Sequence, residues 1–243
     1  MNNNFISQIQ NLNLDFKGKK LFNNLNFDIL ENKSTALLGS SGVGKSTLLR
    51  CIADLENENI TSGNIVLKEG TNVAWLSQEN SLYPWLSILD NVQLYHYLKG
   101  TKTKQTLQKA KELLAQVNMS QHCDKKTYEL SGGQKQRVAL ARTLMQDANL
   151  ILMDEPFAAL DAITKIQLQD LTCQLLKNKT VVLVTHDPQE AIKLANHIYI
   201  LKNQPVTIEE VATLEGVLPH QLSNEKLWNL QEELITKIKG SEI

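Results

Sequence analysis

The chain has 243 residues, with 25 Lys and Arg against 26 Asp and Glu, a net charge of −1 and a pI near 6.5. That length suits one elaborated α/β domain, and the balanced, interspersed charge gives no electrostatic support for nucleic-acid binding. Cys51, Cys123 and Cys173 are dispersed without a CxxC pair, which argues against disulfide or zinc frameworks and fits small buried residues in a reducing cytosol.

The start, Met1-Asn-Asn-Asn-Phe5-Ile-Ser-Gln8, lacks the basic and apolar regions of a secretory signal. No run approaches the roughly 18 apolar residues that cross a bilayer, so any action at a membrane is expected through partners. Residues 5–30 alternate apolar and polar, with Leu12, Leu14 and Phe16, then Leu25, Phe27 and Ile29. Gly18 with its flanking lysines marks a turn, so antiparallel strands with one wet face are predicted. Ser34–Gly39 reads as a short buried strand entering a glycine-rich loop, and Thr47–Ala53 as the helix after it. Further strands are predicted at 64–67, 73–76, 149–153, 180–184 and 197–201. Between 88 and 146 no strand pattern appears, and Leu107, Leu113, Leu114 and Val117 stand at helical spacing. The fold class is α/β, with an N-terminal antiparallel β subdomain and an α-helical subdomain inserted at about 83–147. The domain covers residues 1–205. Residues 206–243 form a C-terminal extension whose helix would be capped by Ser223, striped by Leu227, Leu230, Leu234 and Ile238, and ended by Gly240. The stripe reads as a docking face or, preferably, as packing on its own domain.

Gly39-Ser-Ser-Gly-Val-Gly44-Lys45-Ser46 fits G-x-x-x-x-G-K-[ST]. Gly39, Gly42 and Gly44 let the backbone turn tightly against phosphate oxygens, and the following helix N-terminus adds positive potential. Lys45 would bridge β- and γ-phosphates, and the Ser46 hydroxyl would hold Mg²⁺. Leu150-Ile-Leu-Met-Asp154-Glu155 is a strand ending in two carboxylates. Asp154 suits the Mg²⁺ surroundings, and Glu155 the polarisation of an attacking water. Leu130-Ser-Gly-Gly-Gln-Lys-Gln-Arg137 is a second glycine-rich element about to open a helix, with backbone amides and a hydroxyl for another anion. Two phosphate-binding surfaces beside one set of catalytic residues point to a site shared between two copies.

These motifs, with His186 after Val181-Val-Leu-Val-Thr185, resemble the nucleotide-binding subunit of ATP-binding cassette (ABC) transporters over residues 5–205. The resemblance implies a P-loop NTPase (RecA-like) core, an ATPase activity, and ATP with Mg²⁺ as cofactors. It assigns ATP to Gly39, Ser40, Ser41, Gly42, Val43, Gly44, Lys45, Ser46 and Thr47, with Phe16 stacked on adenine. A lone aromatic in a strand is as readily a core residue, so Phe16 carries both readings. Gln78 falls at the loop that senses Mg²⁺, the attacking water and the membrane partner, so Ser46, Gln78 and Asp154 form the metal set. Ser131, Gly132, Gly133 and Gln134 would meet the other subunit's nucleotide, with Asp161 of Ala158-Ala-Leu-Asp161 across the same seam. Glu155, His186 and Gln78 are the catalytic set, His186 contacting the γ-phosphate, where an imidazole supplies a hydrogen bond or positive charge. The departures are mild. Glu31-Asn-Lys33 replaces a common glycine, Ala53-Asp54 stands for Ala-Gly, and Ala158 stands for serine.

Residues 78–92, containing Leu82-Tyr-Pro-Trp85, combine aromatics of an exposed kind with a proline. They resemble the surface on which importer subunits receive a membrane permease, unless they only pack the helical insert. With Thr185-His-Asp-Pro-Gln-Glu-Ala191, the segment looks most like the nitrate, sulfonate, taurine and thiamine-precursor (pyrimidine) importers. The resemblance thus implies a bacterial-type protein, peripheral on the cytoplasmic face of the inner membrane. It would work as a head-to-tail homodimer beneath a permease, indirectly served by a substrate-binding protein, with no nucleic acid. Residues 206–243 are too few for a regulatory domain. The alternative is a soluble ABC ATPase acting on a macromolecule, in translation or DNA repair. Against it stand the single cassette and the absence of a long polar insertion or a CxxC module.

Overall fold

The alternating N-terminal segment forms a hairpin whose asparagines set its registers. In the computed structural model, which describes residues 4–220 and 225–239, β1 (Phe5–Phe16) and β2 (Lys19–Leu30) pair antiparallel around Lys17 and Gly18. The buried face switches parity between Ile9 and Leu12, and again between Phe22 and Leu25. Asn11 and Asn24 lie at those switches with φ of 51° and 54°, a left-handed conformation that asparagine tolerates better than most side chains. The strand β4 (Ile60–Leu67) completes a three-stranded sheet in the order β2-β1-β4. It begins earlier than the 64–67 predicted because Thr61, Ser62 and Gly63 carry no apolar signal, yet Ile60 and Ser62 pair with Leu14 and Asn13 of β1.

The second sheet has six strands in the order β5-β6-β7-β3-β8-β9. Here β3 is Ser34–Leu38, β5 Val73–Leu76, β6 Leu150–Asp154, β7 Thr180–Val184 and β8 His197–Lys202, all parallel. Every residue of β3, β6 and β7 is buried, which accounts for their unbroken apolar runs between two covered faces. The edge strand β9 (Thr207–Thr213) runs antiparallel to β8. It lies within the stretch predicted as an extension after residue 205, so the sheet reaches beyond that boundary. Its half-buried Thr-Ile-Glu-Glu-Val-Ala-Thr, with a register shift opposite Ile198 and Tyr199, lacks clean alternation.

The helix α1 (Lys45–Ile52) follows β3. The insert holds α2 (Ile88–Val92), α3 (Leu94–Leu98), α4 (Lys104–Gln116) and α5 (Gly132–Leu144), with no strand among its described residues. Ile88, Val92, Leu113, Leu114, Val117, Leu130 and Val138 form its own core. Leu107 is only partly buried. After β6 come α6 (Ala162–Leu175), α7 (Pro188–Leu194) and α8 (Glu225–Lys239). Leu234 of α8 is fully buried, and Leu227, Leu230 and Ile238 pack beside it on Ala36, Ile192, Ile198 and Ile200. The stripe therefore lies on its own sheet. Ser223 and Gly240, the predicted caps, lie outside the described residues. Cys51 is buried and Cys123 and Cys173 partly so, all three as free thiols; burial pushes Cys51 up to about 12 and Cys173 to about 11. No helix among the described residues is long and apolar enough to cross a membrane.

Candidate functional site

The carboxyl ends of β3, β6 and β7 gather the polar residues. After β3 the chain turns through Gly39–Gly44 into α1. A Cβ on Gly39 would stand 2.5 Å from the Leu201 carbonyl oxygen, so only glycine lets the loop approach β8. Gly44 caps α1 at φ 116° without a side-chain hydrogen bond, which leaves the first-turn amides to other acceptors. Lys45 is 4% exposed, and its Nζ donates to the carbonyls of Gly39 and Ser40, both at 2.8 Å. Burial lowers its pKa, opposed by the charges of Glu155 and Asp154. The hairpin reaches this loop, because a Cβ on Gly44 would meet Leu21 at 3.2 Å. Phe16, at the closed end of that hairpin, is 39% exposed and so is not a core residue.

Ser46 Oγ donates to Asp154 Oδ1 at 2.8 Å. Asp154 ends β6 and is buried; desolvation raises its pKa, the Ser46 bond lowers it, and Glu155 raises it further. Glu155 leaves the strand at φ 43° while its amide donates to the Val184 carbonyl at 3.0 Å. A left-handed glutamate costs about 1 kcal/mol, and the turn carries its carboxylate toward β7. There His186 Nδ1 stands 3.2 Å from Glu155 Oε2. Gln78 is exposed and shares an open cleft of about 600 Å³ with Asp154, Arg50 and Trp75. Lys45, Ser46, Gln78, Asp154, Glu155 and His186 are thus brought together.

The hydroxyl and carboxylate of Ser46 and Asp154 are hard oxygen donors already within one hydrogen bond of each other. Mg²⁺ favours such oxygens, few in number, when phosphates and water supply the rest of its shell. The donor set fits that ion. Among the described residues no group of three or more His, Cys, Asp or Glu could form an all-protein cage.

Ser131, Gly132, Gly133 and Gln134 stand elsewhere. Ser131 caps α5, its hydroxyl accepting from the Gln134 amide at 3.3 Å while Gln134 Oε1 accepts from the Ser131 amide at 2.9 Å. Ser131 and Gly132 are exposed. Among the described residues no hydrogen bond or ion pair joins this turn to Lys45, Asp154, Glu155 or His186. Asp161 caps α6, accepting from the Thr164 amide at 3.0 Å, and Thr164 packs against Gly133 so tightly that a Cβ there would lie 2.5 Å away. Of the residues predicted to act in trans, Ser131, Gly132 and Asp161 are exposed and Gly133 and Gln134 half-buried, and the Gly133–Thr164 contact makes the two helix starts neighbours.

Three supporting residues escaped the sequence analysis. Lys165 of α6 bonds Asp187 and the buried Glu190, both at 2.7 Å, and Glu190 accepts from Thr185, so this network brackets His186. A depression of about 890 Å³ lies behind it, lined by Gln169, Glu190, Lys193 and His220. Asn91 and Arg142 hold the chain after Gln78. A polar residue at a buried helical position was the available signal for Asn91; a half-buried arginine on α5 gives none.

Residues 22–158 match the family model described as ABC transporter. An uncharacterized ABC transporter ATP-binding protein of Haemophilus influenzae is 50% identical, across 97% of this chain and 99% of its own. Aliphatic sulfonates import ATP-binding proteins of Streptomyces avermitilis and Delftia acidovorans are 36% and 39% identical, across 97% and 82% of this chain and 91% and 80% of theirs. A solved structure, described as an inward-facing conformation of a metal-chelate type ABC transporter, is 25% identical. It superposes with a TM-score of 0.75 over 95% of this chain and 90% of that one.

Proposed function

The chain belongs to the ABC transporter family and is one of its ATPases, and from that premise we propose that it powers small-molecule uptake through separate permease subunits, as a head-to-tail homodimer. Two relatives named for sulfonate import support the direction. A permease would dock near Gln78–Val92, where Tyr83 and Trp85 stand 40% and 68% exposed with ring centroids 5.1 Å apart. In this reading the protein sits peripherally on the cytoplasmic face of the membrane, with a substrate-binding protein served indirectly. No specific observation favours a soluble, macromolecule-directed ATPase.

The proposed chemistry follows from the geometry. Lys45 turns from the Gly39 and Ser40 carbonyls toward the β- and γ-phosphates, while the loop amides and Ser40–Thr47 cradle the rest. Ser46, Asp154 and Gln78 would hold Mg²⁺, which neutralises charge developing on the phosphates. Glu155 orients the attacking water, and His186, tethered to it, reaches the γ-phosphate. Phe16 offers adenine an exposed ring. The observation that carries the dimer is the turn led by the exposed Ser131 and Gly132, which among the described residues makes no hydrogen bond or ion pair to its own chain's phosphate-binding residues.

Glu155→Gln tests the assembly. Removing the base while keeping the side chain's shape is expected to lower turnover by about 10² or more, to preserve ATP binding, and to yield an ATP-dependent dimer on gel filtration. Turnover like that of the parent would overturn the role of Glu155, and a persistent monomer would overturn the shared site.

A further inference from the structure

We propose that Arg142 is a positioning residue that couples the helix bearing Ser131–Gln134 to the loop bearing Gln78. The proposal rests on the shared site described above and adds the path by which one half of that site governs the other.

Residues 77–82 open the connection from β5 to α2 without regular structure. Among the described residues, no backbone–backbone hydrogen bond outside helices and strands holds them. Ser77 and Ser81 both turn their hydroxyls onto the Glu79 carbonyl, which shapes the loop but fastens it to nothing else. Leu82 packs partly between two apolar clusters. The polar tether comes from α5, where the Arg142 Nη1 donates to the Ser81 carbonyl at 2.7 Å and Nη2 to the Asn80 carbonyl at 2.8 Å. One guanidinium thus grips two successive peptide units through charge-assisted bonds. Lysine, a single point donor, cannot reproduce that fork.

The other end of α5 is capped by Ser131. The helix is continuous over Gly132–Leu144, and its middle is buried at Val138, Ala139, Leu140 and Ala141. A packed helix moves as a rigid element. When Ser131–Gly133 engages the nucleotide of the facing subunit, displacement of α5 is transmitted by Arg142 to Asn80 and Ser81, and so to Gln78 beside Asp154. Each chain's Gln78 loop then responds to the nucleotide that its own Ser131 covers.

The test uses the full chain, ATP and Mg²⁺. Arg142→Met is expected to lower kcat by about tenfold with the KM for ATP within about twofold, the pattern of an interaction needed in the transition state and not for binding. Arg142→Lys should fall between. In a Glu155→Gln background, Arg142→Met should still dimerise with ATP, but the ATP-dependent slowing of amide exchange at residues 77–82 should disappear. A kcat within about twofold of the parent, or exchange at 77–82 that still follows ATP, overturns the coupling. If Arg142→Met does not fold, Arg142→Lys decides: a lower kcat at unchanged KM supports the coupling, and an unchanged kcat overturns it. Failure of Glu155→Gln alone to dimerise would strike the shared site instead.

Discussion

Asp154 is where the proposed site sets stability against chemistry. Its carboxylate is buried at the end of β6, desolvated and next to Glu155, and one Ser46 hydroxyl compensates only part of that cost. Desolvation raises the folded-state pKa, so the folded chain holds the Asp154 proton more tightly than the unfolded chain does. Ionisation on raising the pH therefore costs stability. The cost is absent below the ordinary carboxylate range and complete above the raised pKa. Asp154→Asn keeps an acceptor for Ser46 and removes the buried charge. It is expected to raise the melting temperature by a few degrees near neutral pH, with the gain vanishing in acid, while Mg²⁺-dependent hydrolysis is lost. Thermal scans across pH check this, and a fall in melting temperature at neutral pH would contradict it. The residue scale also explains two departures from the family pattern. Asn32 and Asp54 stand where glycine is common, and both adopt positive φ, 57° and 60°. Glycine suits such positions, and Asn and Asp are the side chains that tolerate them best. The sequence carried the substitution but not the dihedral that accounts for it.

At the scale of elements, the segment after Gln78 depends on α2. Asn91 is fully buried, and its amide accepts from the Tyr83 N–H at 2.8 Å and donates to the Tyr83 and Ser87 carbonyls at 3.1 and 2.9 Å. Those bonds hold the loop that presents Tyr83 and Trp85. Asn91→Leu, similar in volume, leaves the Tyr83 N–H without its acceptor beside an apolar cluster, the Tyr83 carbonyl keeping only the Leu86 N–H, and is expected to destabilise the chain by about 2 kcal/mol. It should also alter Trp85 fluorescence in the native state. An unchanged denaturation midpoint and spectrum would show that the aromatics hold the loop unaided. What the sequence disclosed follows the same division. The buried strands and the glycine-rich loop announce themselves because each residue's character matches its surroundings. Asn91, Lys165 and Arg142 act across 8, 22 and 61 positions of sequence, where spacing holds no signal. The edge strand β9 stayed hidden because it is half-buried and bulged, so neither alternation nor a full apolar run marks it.

At the scale of the whole molecule, the proposed shared site requires each chain to carry two half-sites on different surfaces. One holds Lys45 and its carboxylates, and the other holds Ser131–Gln134, neighboured by Asp161 through Gly133 and Thr164. A head-to-tail pair joins unlike halves twice, and this geometry dictates a complementation pattern. Lys45→Ala removes the phosphate-binding half, and Ser131→Arg obstructs the covering half. Each variant alone has two defective sites and is expected to be inactive. In a mixed dimer, one site combines both lesions, while the other joins the intact Lys45 of one chain to the intact Ser131 of its partner. With random pairing at equal amounts, half the dimers are mixed and each has one good site of two, which sets a ceiling of about a quarter of the parent rate; the Gln78 of that site lies on the chain carrying Ser131→Arg, so the coupling through Arg142 lowers the recovery below the ceiling without abolishing it. A site complete within one chain gives no recovery on mixing, whatever the ratio. Titrating one variant into the other at fixed total protein distinguishes the two cases, because shared sites produce activity that peaks at equal proportions and falls to nothing at either end.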